Sequence, residues 1–192
     1  MAFSDHSQLP DPLRGLVEAE LASGERVTWV EQPIAGRLAR SALPVLLFAI
    51  PWTLFALFWM AGAAATTSRA NGGPERLFPL FGLPFVLVGL AMLSSPYWAA
   101  RSAKRTAYVL TDRRAIIFQS GWTSVTVRSF EREKLGDLRR TQAPDGSGDL
   151  VFTEDVSSGR RGTTTTDVGF LAIPDVKAAE ERVRALAGGT GW

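Results

Sequence analysis

Residues 106–121, TAYVLTDRRAIIFQSG, hold two apolar runs, 108–110 and 115–118, on either side of Thr111-Asp112-Arg113-Arg114. Aromatic and β-branched residues bounded by a short polar turn make strand, turn and strand, so the stretch reads as a β-hairpin. The chain differs in kind on its two sides. Upstream, no charged residue lies between Arg76 and Arg101, where 77–100 reads LFPLFGLPFVLVGLAMLSSPYWAA. None lies between Arg40 and Arg69 either, where 41–68 reads SALPVLLFAIPWTLFALFWMAGAAATTS. Downstream, short β-type runs alternate with polar turns.

Averages hide this division. The 192 residues are 46% hydrophobic and 21% charged, with a formal net charge of +2. Residues 1–100 carry 6 Lys/Arg and 7 Asp/Glu, whereas residues 101–192 carry 15 and 12. The chain has no cysteine, which excludes a disulfide scaffold, thiolate metal sites and cysteine nucleophile chemistry. Its one histidine, His6, sits in a polar N-terminal tail, away from any folded Ser-His-Asp arrangement.

At about 1.5 Å per residue, about 20 apolar residues cross a hydrocarbon core of about 30 Å. Both uncharged runs are long enough, and so short a chain has too little polar mass to bury them as core helices. Residues 41–100 therefore read as a transmembrane hairpin with spans at about 41–65 and 77–98. Residues 1–40 show no apolar core ahead of a small-residue cleavage site, so the first span reads as an uncleaved anchor. Arg26, Arg37 and Arg40 precede it, and Arg101, Lys104, Arg105, Arg113 and Arg114 follow the second span. Only Arg69 and Arg76 lie in the connection, where Asn71, Gly72, Gly73 and Pro74 make the turn. The bias predicts that both termini are cytoplasmic, with Tyr97 and Trp98 in the aromatic belt of the second span. Pro44, Pro51, Pro79 and Pro84 predict kinks, but neither span contains an ionisable residue, which speaks against transport. Ala49 with Ala56, and Gly82 with Gly89, put small residues on one face of each span. These faces either close the hairpin or receive another membrane protein.

Within residues 1–40, Asp11-Pro12 reads as a helix start, with Leu13, Leu16, Val17 and Leu21 on one stripe until Ser23-Gly24. The helix carries Glu18 and Glu20 rather than several basic residues, so its stripe is expected on the protein's own domain more than on lipid. GERVTWVEQP at 24–33 predicts a strand with Val27 and Trp29 on one face. A lone strand is unstable, so it should pair with the C-terminal half. After the hairpin, further strands fit WTSVTVRSF at 122–130, 138–142 and 149–154, with a looser one through TTTTDVGF at 163–170. Pro174-Asp175 opens a last helix with Val176, Ala179, Val183 and Leu186 on its stripe, ended by Gly188-Gly189. The fold class is α+β: an N-terminal helix and strand (1–40), the hairpin (41–100), an antiparallel β domain with a C-terminal helix (101–187) and a flexible tail (188–192).

TAYVLTDRRAIIFQSG, preceded by GERVTWVEQP and two spans and followed by GFLAIPD and a final helix, resembles the bacterial pleckstrin-homology-like membrane proteins over about residues 21–186. Residues 108–114 carry the likeness best; Gly24-Glu25-Arg26 with Trp29 and Pro33 carries it less. The resemblance implies a PH-like antiparallel sheet capped by a helix at the inner face of a bacterial cytoplasmic membrane. It brings no catalytic residue. Folds of this kind host lipid, peptide and protein binding.

No phosphate-binding loop occurs, and no cofactor or metal is expected. Asp145-Gly146-Ser147-Gly148-Asp149 begins like a calcium loop, but Leu150 and Val156 stand where glycine and a bidentate Glu are required, so it reads as a turn. Glu131 with Glu133, and Glu154 with Asp155, lie in polar stretches and read as solvated. Arg101, Lys104, Arg105, Arg113 and Arg114 form a juxtamembrane basic cluster, read either as a site for anionic lipid or a partner, or as a topology signal alone. Nucleic acid is a poor partner, since no aromatic stacking platform accompanies these charges. The expected function is a non-enzymatic membrane-anchored interaction module binding a protein partner or anionic lipid. The alternative is an accessory subunit of a larger inner-membrane complex, with an integral-membrane partner or a second copy docking on its helices.

Overall fold

The computed structural model describes residues 9–67, 73–121, 123–159 and 162–188. Readings that rest on His6, on Arg69, Asn71 and Gly72, or on the tail 189–192 lie outside the described residues. In chain order the elements begin with α1 (Asp11–Glu20), β1 (Val27–Glu31), α2 (Ala35–Ser41) and α3 (Leu43–Thr67). A 3-10 helix over Pro74–Gly82, α4 (Leu83–Leu93) and α5 (Ser95–Ala103) follow. Next come β2 (Thr106–Thr111), β3 (Arg114–Ser120), β4 (Val125–Glu131) and β5 (Arg139–Gln142). The chain closes with β6 (Gly148–Gly159), β7 (Gly162–Ile173) and α6 (Val176–Ala187). The fold is α+β with antiparallel sheets and a C-terminal helix. It divides into two compact units, Met1–Arg37 with Arg101–Trp192, and Leu38–Ala100.

The first unit has one sheet ordered β1-β2-β3-β4 and another ordered β5-β6-β7. Tyr108 and Leu110 join Trp29, Ile117, Phe152, Phe170 and Val183 of α6 in a core drawn from both sheets. Their neighbours Ala107 and Val109 point the other way and pack with Ile116, Phe118 and Leu13 and Val17 of α1. A strand covered on both faces needs no polar alternation, which is why Tyr108-Val109-Leu110 is continuously apolar. β1 finds the partner a lone strand requires, pairing antiparallel with β2 through Trp29↔Leu110 and Val30↔Val109.

Some boundaries differ from the sequence reading. α1 starts at Asp11 with Pro10 as its cap: the Pro10 carbonyl accepts from Leu13 and Arg14 N–H, and the Asp11 carboxylate pairs with Arg14 at 2.5 Å. β6 and β7 form a hairpin longer than the runs at 149–154 and 163–170. Their ladder continues as far as Gly159↔Gly162, through residues lacking the apolar alternation that marks a half-buried strand. α6 begins as expected, with Asp175 accepting from Ala178 N–H at 3.0 Å.

In the second unit, α3 continues through Pro51, while Pro44 falls in its first turn, where no intrahelical bond is lost. α3 is the one single helix among the described residues long and apolar enough to cross a membrane. The second apolar run is broken. Pro79 lies in the 3-10 helix, Pro84 occupies the first turn of α4, and Pro96, which the sequence reading did not single out, occupies the first turn of α5 after a break at Ser94. Each proline lacks the N–H that would continue the preceding helix. The run reaches spanning length only as a bent pair, Leu77–Leu93 with Ser95–Ala103, at 40°.

Candidate interaction site

The tip of the β2–β3 hairpin is fixed by a buried carboxylate. Gly24, at φ +77°, turns the chain after α1 and brings Glu25 under the hairpin. Arg114 Nε donates to Glu25 Oε1 at 2.8 Å and Nη2 to Oε2 at 2.9 Å. The Ala22 N–H donates to Oε2 at 2.9 Å, and the Thr111 hydroxyl to Oε1 at 2.8 Å. With its side chain 0% exposed, Glu25 has no water to solvate its charge, and these donors replace it. The Arg114 guanidinium above all, with the Ala22 and Thr111 donors, outweighs burial and holds the Glu25 pKa down at about 2. Arg114 also donates to the Glu20 carbonyl at 3.0 Å and lies 3.7 Å from its carboxylate. Asp112 closes the clasp, accepting from Arg26 N–H at 3.0 Å while its own N–H donates to the Arg26 carbonyl at 3.0 Å. The two stretches that carried the family likeness, Gly24-Glu25-Arg26 and 108–114, are thus halves of one hydrogen-bonded unit.

Beside this clasp opens a cleft of about 310 Å³, lined by Arg113, Arg114, Arg132, Glu25, Glu131 and Glu133. Arg132 is tied to the Asp112 carbonyl. Arg113 is exposed, and its guanidinium makes no ion pair with a described residue. Three basic and three acidic side chains line the cleft, so its charge is balanced.

The basic cluster of the sequence does not come together. Arg101 ends α5, Lys104 is exposed in the following turn, and Arg105 sits at the base of the hairpin, its carbonyl accepting from Ser120 N–H at 2.8 Å. Arg113 and Arg114 lie at the other end of β2, about 20 Å away at about 3.3 Å per residue. The small residues do come together: Ala49 and Ala56 are buried on α3, and Gly82 and Gly89 lie where a Cβ would strike Met60 and Thr53 of α3 at 2.2 Å. Of the carboxylate pairs, Asp155 meets Arg128 and Glu154 meets Arg139 at 3.4 Å. Asp145 forms a turn on Ser147, accepting from its N–H at 3.0 Å and its hydroxyl at 2.6 Å, which holds the Asp145 carboxyl below its ordinary range.

Sequence reasoning missed the roles of Glu25 and of Arg37, which donates to Ser147 at 2.6 Å and lies 3.6 Å from Asp149. Glu25 left one trace, its place in the family-like motif; Arg37 left none. A family model described as the bacterial PH domain matches residues 42–187, well over half of the chain. No curated protein and no solved structure matches. The two antiparallel sheets, the C-terminal helix and that match agree on a PH-like domain of the kind that serves interaction with proteins or lipids, and the chain belongs to the bacterial PH domain family.

Proposed function

We propose that the protein is a membrane-anchored PH-like interaction module, with α3 and the bent second run as two spans in the bacterial cytoplasmic membrane and the β-sheet unit and both termini in the cytoplasm. The observation that carries this is the pairing of β1 with β2. β1 precedes α3 and β2 follows the second run, and strands of one sheet lie on one side of a bilayer. A chain that crosses at α3 must therefore cross back before Thr106, and the second run is the apolar stretch placed to do so. The exposure of Phe55, Phe58, Leu54 and Phe81 supports the same reading, since a core helix in water would bury them. The balanced charge of the hairpin-tip cleft suits a protein surface of mixed charge better than a phosphate group. We read this role as binding, without catalysis. Docking of an accessory-subunit partner on Ala49, Ala56, Gly82 and Gly89 is disfavoured, because those faces already pack α3 against the second run.

The cysteine-free chain allows a direct test. Gly73→Cys marks the connection and Ser124→Cys the β-sheet unit. An impermeant maleimide should label the first in intact cells with a permeabilised outer membrane, and the second only after lysis. Labelling of both or of neither from outside overturns the two-span arrangement.

A further inference from the structure

We infer that the outer edge of β7 is a self-association surface, to which the same edge of a second copy of this chain adds as an antiparallel strand, whether or not α3 spans a bilayer. β6 and β7 pair from Gly148↔Ile173 to Gly159↔Gly162, yet β5 lies against only Gly148–Val151 of β6. Phe152 and Val168 are the residues furthest along this ladder that join the core. Beyond them residues 153–156 and 165–167 are exposed, and the hairpin runs on for about 20 Å as a two-stranded arm. A two-stranded ribbon without a covered apolar face is only marginally stable in water, and a third strand completes it.

The two edges of the arm differ. β6 carries Glu154 and Asp155, which pair with Arg139 of β5 and Arg128 of β4, and charge along an edge deters strand addition. β7 carries GTTTT at 162–166, with no charge and no proline, in residues that favour extended pairing. Among the described residues, the backbone bond that reaches β7 from outside its ladder with β6 is Ile34 N–H to the Ala172 carbonyl at 2.7 Å, at the opposite end of the strand. Val156, paired with Thr165 and 62% exposed, sets a bare apolar side chain beside the open run. The run is complementary to itself. When two such edges meet antiparallel about a two-fold axis at Thr165, threonine opposes threonine, a favourable cross-strand pair, and Asp167 opposes Thr163 rather than its own copy. A strand rich in charge would gain no ion pair from these neutral positions, so the run selects its like. One short strand from each copy is a small interface, which makes the association reversible.

The test uses the full chain in detergent solution, where the absence of cysteine allows cross-linking from single sites. Under mild oxidation, at least one of Thr163→Cys, Thr165→Cys and Thr166→Cys should form disulfide-linked dimers several-fold faster than Ser124→Cys, an exposed site beside β4. Light scattering at high protein concentration should give two chains per particle for the wild type and one for Thr163→Lys/Thr165→Lys, because lysines along an edge repel an incoming copy. Ser124→Lys/Thr126→Lys places the same charges at the β4 edge of the other sheet and should keep the wild-type mass. A monomeric wild-type chain overturns the inference, as does a dimer that survives Thr163→Lys/Thr165→Lys or one that both lysine pairs split equally. Cross-linking at 163, 165 and 166 no faster than at 124 also overturns it, and these rates alone decide if the β7 lysines unfold the arm.

Discussion

Phe118 and Phe58 are the same residue in opposite circumstances. Phe118, in the β-sheet unit, is 0% exposed, whereas Phe58, in the helical unit, is 76% exposed. The β-sheet unit supplies its own cover, with α1 on one face of β2 and β3 and the second sheet with α6 on the other. The helical unit buries only a seam of small residues and turns its large apolar side chains outward. Hydropathy reports what a side chain is, while its cover comes from elsewhere: from the same chain in one unit, and from the lipid we propose around the other.

The sharpest way to break this comparison is to truncate both rings. Phe118→Ala should cost about 3–5 kcal/mol and Phe58→Ala under about 1 kcal/mol, measured by urea unfolding of the detergent-solubilised chain. Equal losses would mean that Phe58 has a protein cover of its own. A slightly smaller effect comes from pH. The Glu25 pKa falls from an ordinary 4.5 to about 2 in the folded chain, so its contribution is present above pH 4.5 and lost as pH falls from about 4.5 towards 2. At about 1.4 kcal/mol per unit this amounts to about 3 kcal/mol. Glu25→Gln should be less stable at pH 7 and lack that part of the acid dependence; a parallel pH profile would refute the clasp. The smallest effect probes the helical seam. Gly89→Leu should weaken the packing of α3 against α4 by about 1–3 kcal/mol, because its Cβ meets Thr53, whereas a Cβ at Gly62 meets nothing within 4 Å. Titration with dodecyl sulfate, followed by helix content, should rank Gly62→Leu with wild type and Gly89→Leu well below it.

Much of the β-sheet unit was legible because its signals are local. Tyr108-Val109-Leu110 and 115–118 declare strands by composition, and Asp175 declares a helix start by its capping chemistry. The small residues also gave themselves away by spacing, although only the structure shows which of two partners they face. What stayed hidden depends on distance along the chain. Glu25 and Arg114 are 89 positions apart, so no local pattern joins them, and Arg114 read as a free basic residue until its partner was seen. Chain proximity misled in the other direction, pooling Lys104 with Arg113 although a whole strand separates them. In the second apolar run, hydropathy is indifferent to proline and so smoothed over the break that Pro96 accompanies.

The pairing of β1 with β2 has a consequence for biosynthesis. The two strands are separated by everything between Glu31 and Thr106. At about 5–20 residues per second, a ribosome finishes β1 roughly 4–15 s before its partner emerges. For that interval Trp29 and Val30 are synthesised but uncovered, a template for any passing strand. Both apolar runs leave the ribosome within the same interval, so the sheet cannot begin to close until the segments bound for the helical unit have been made.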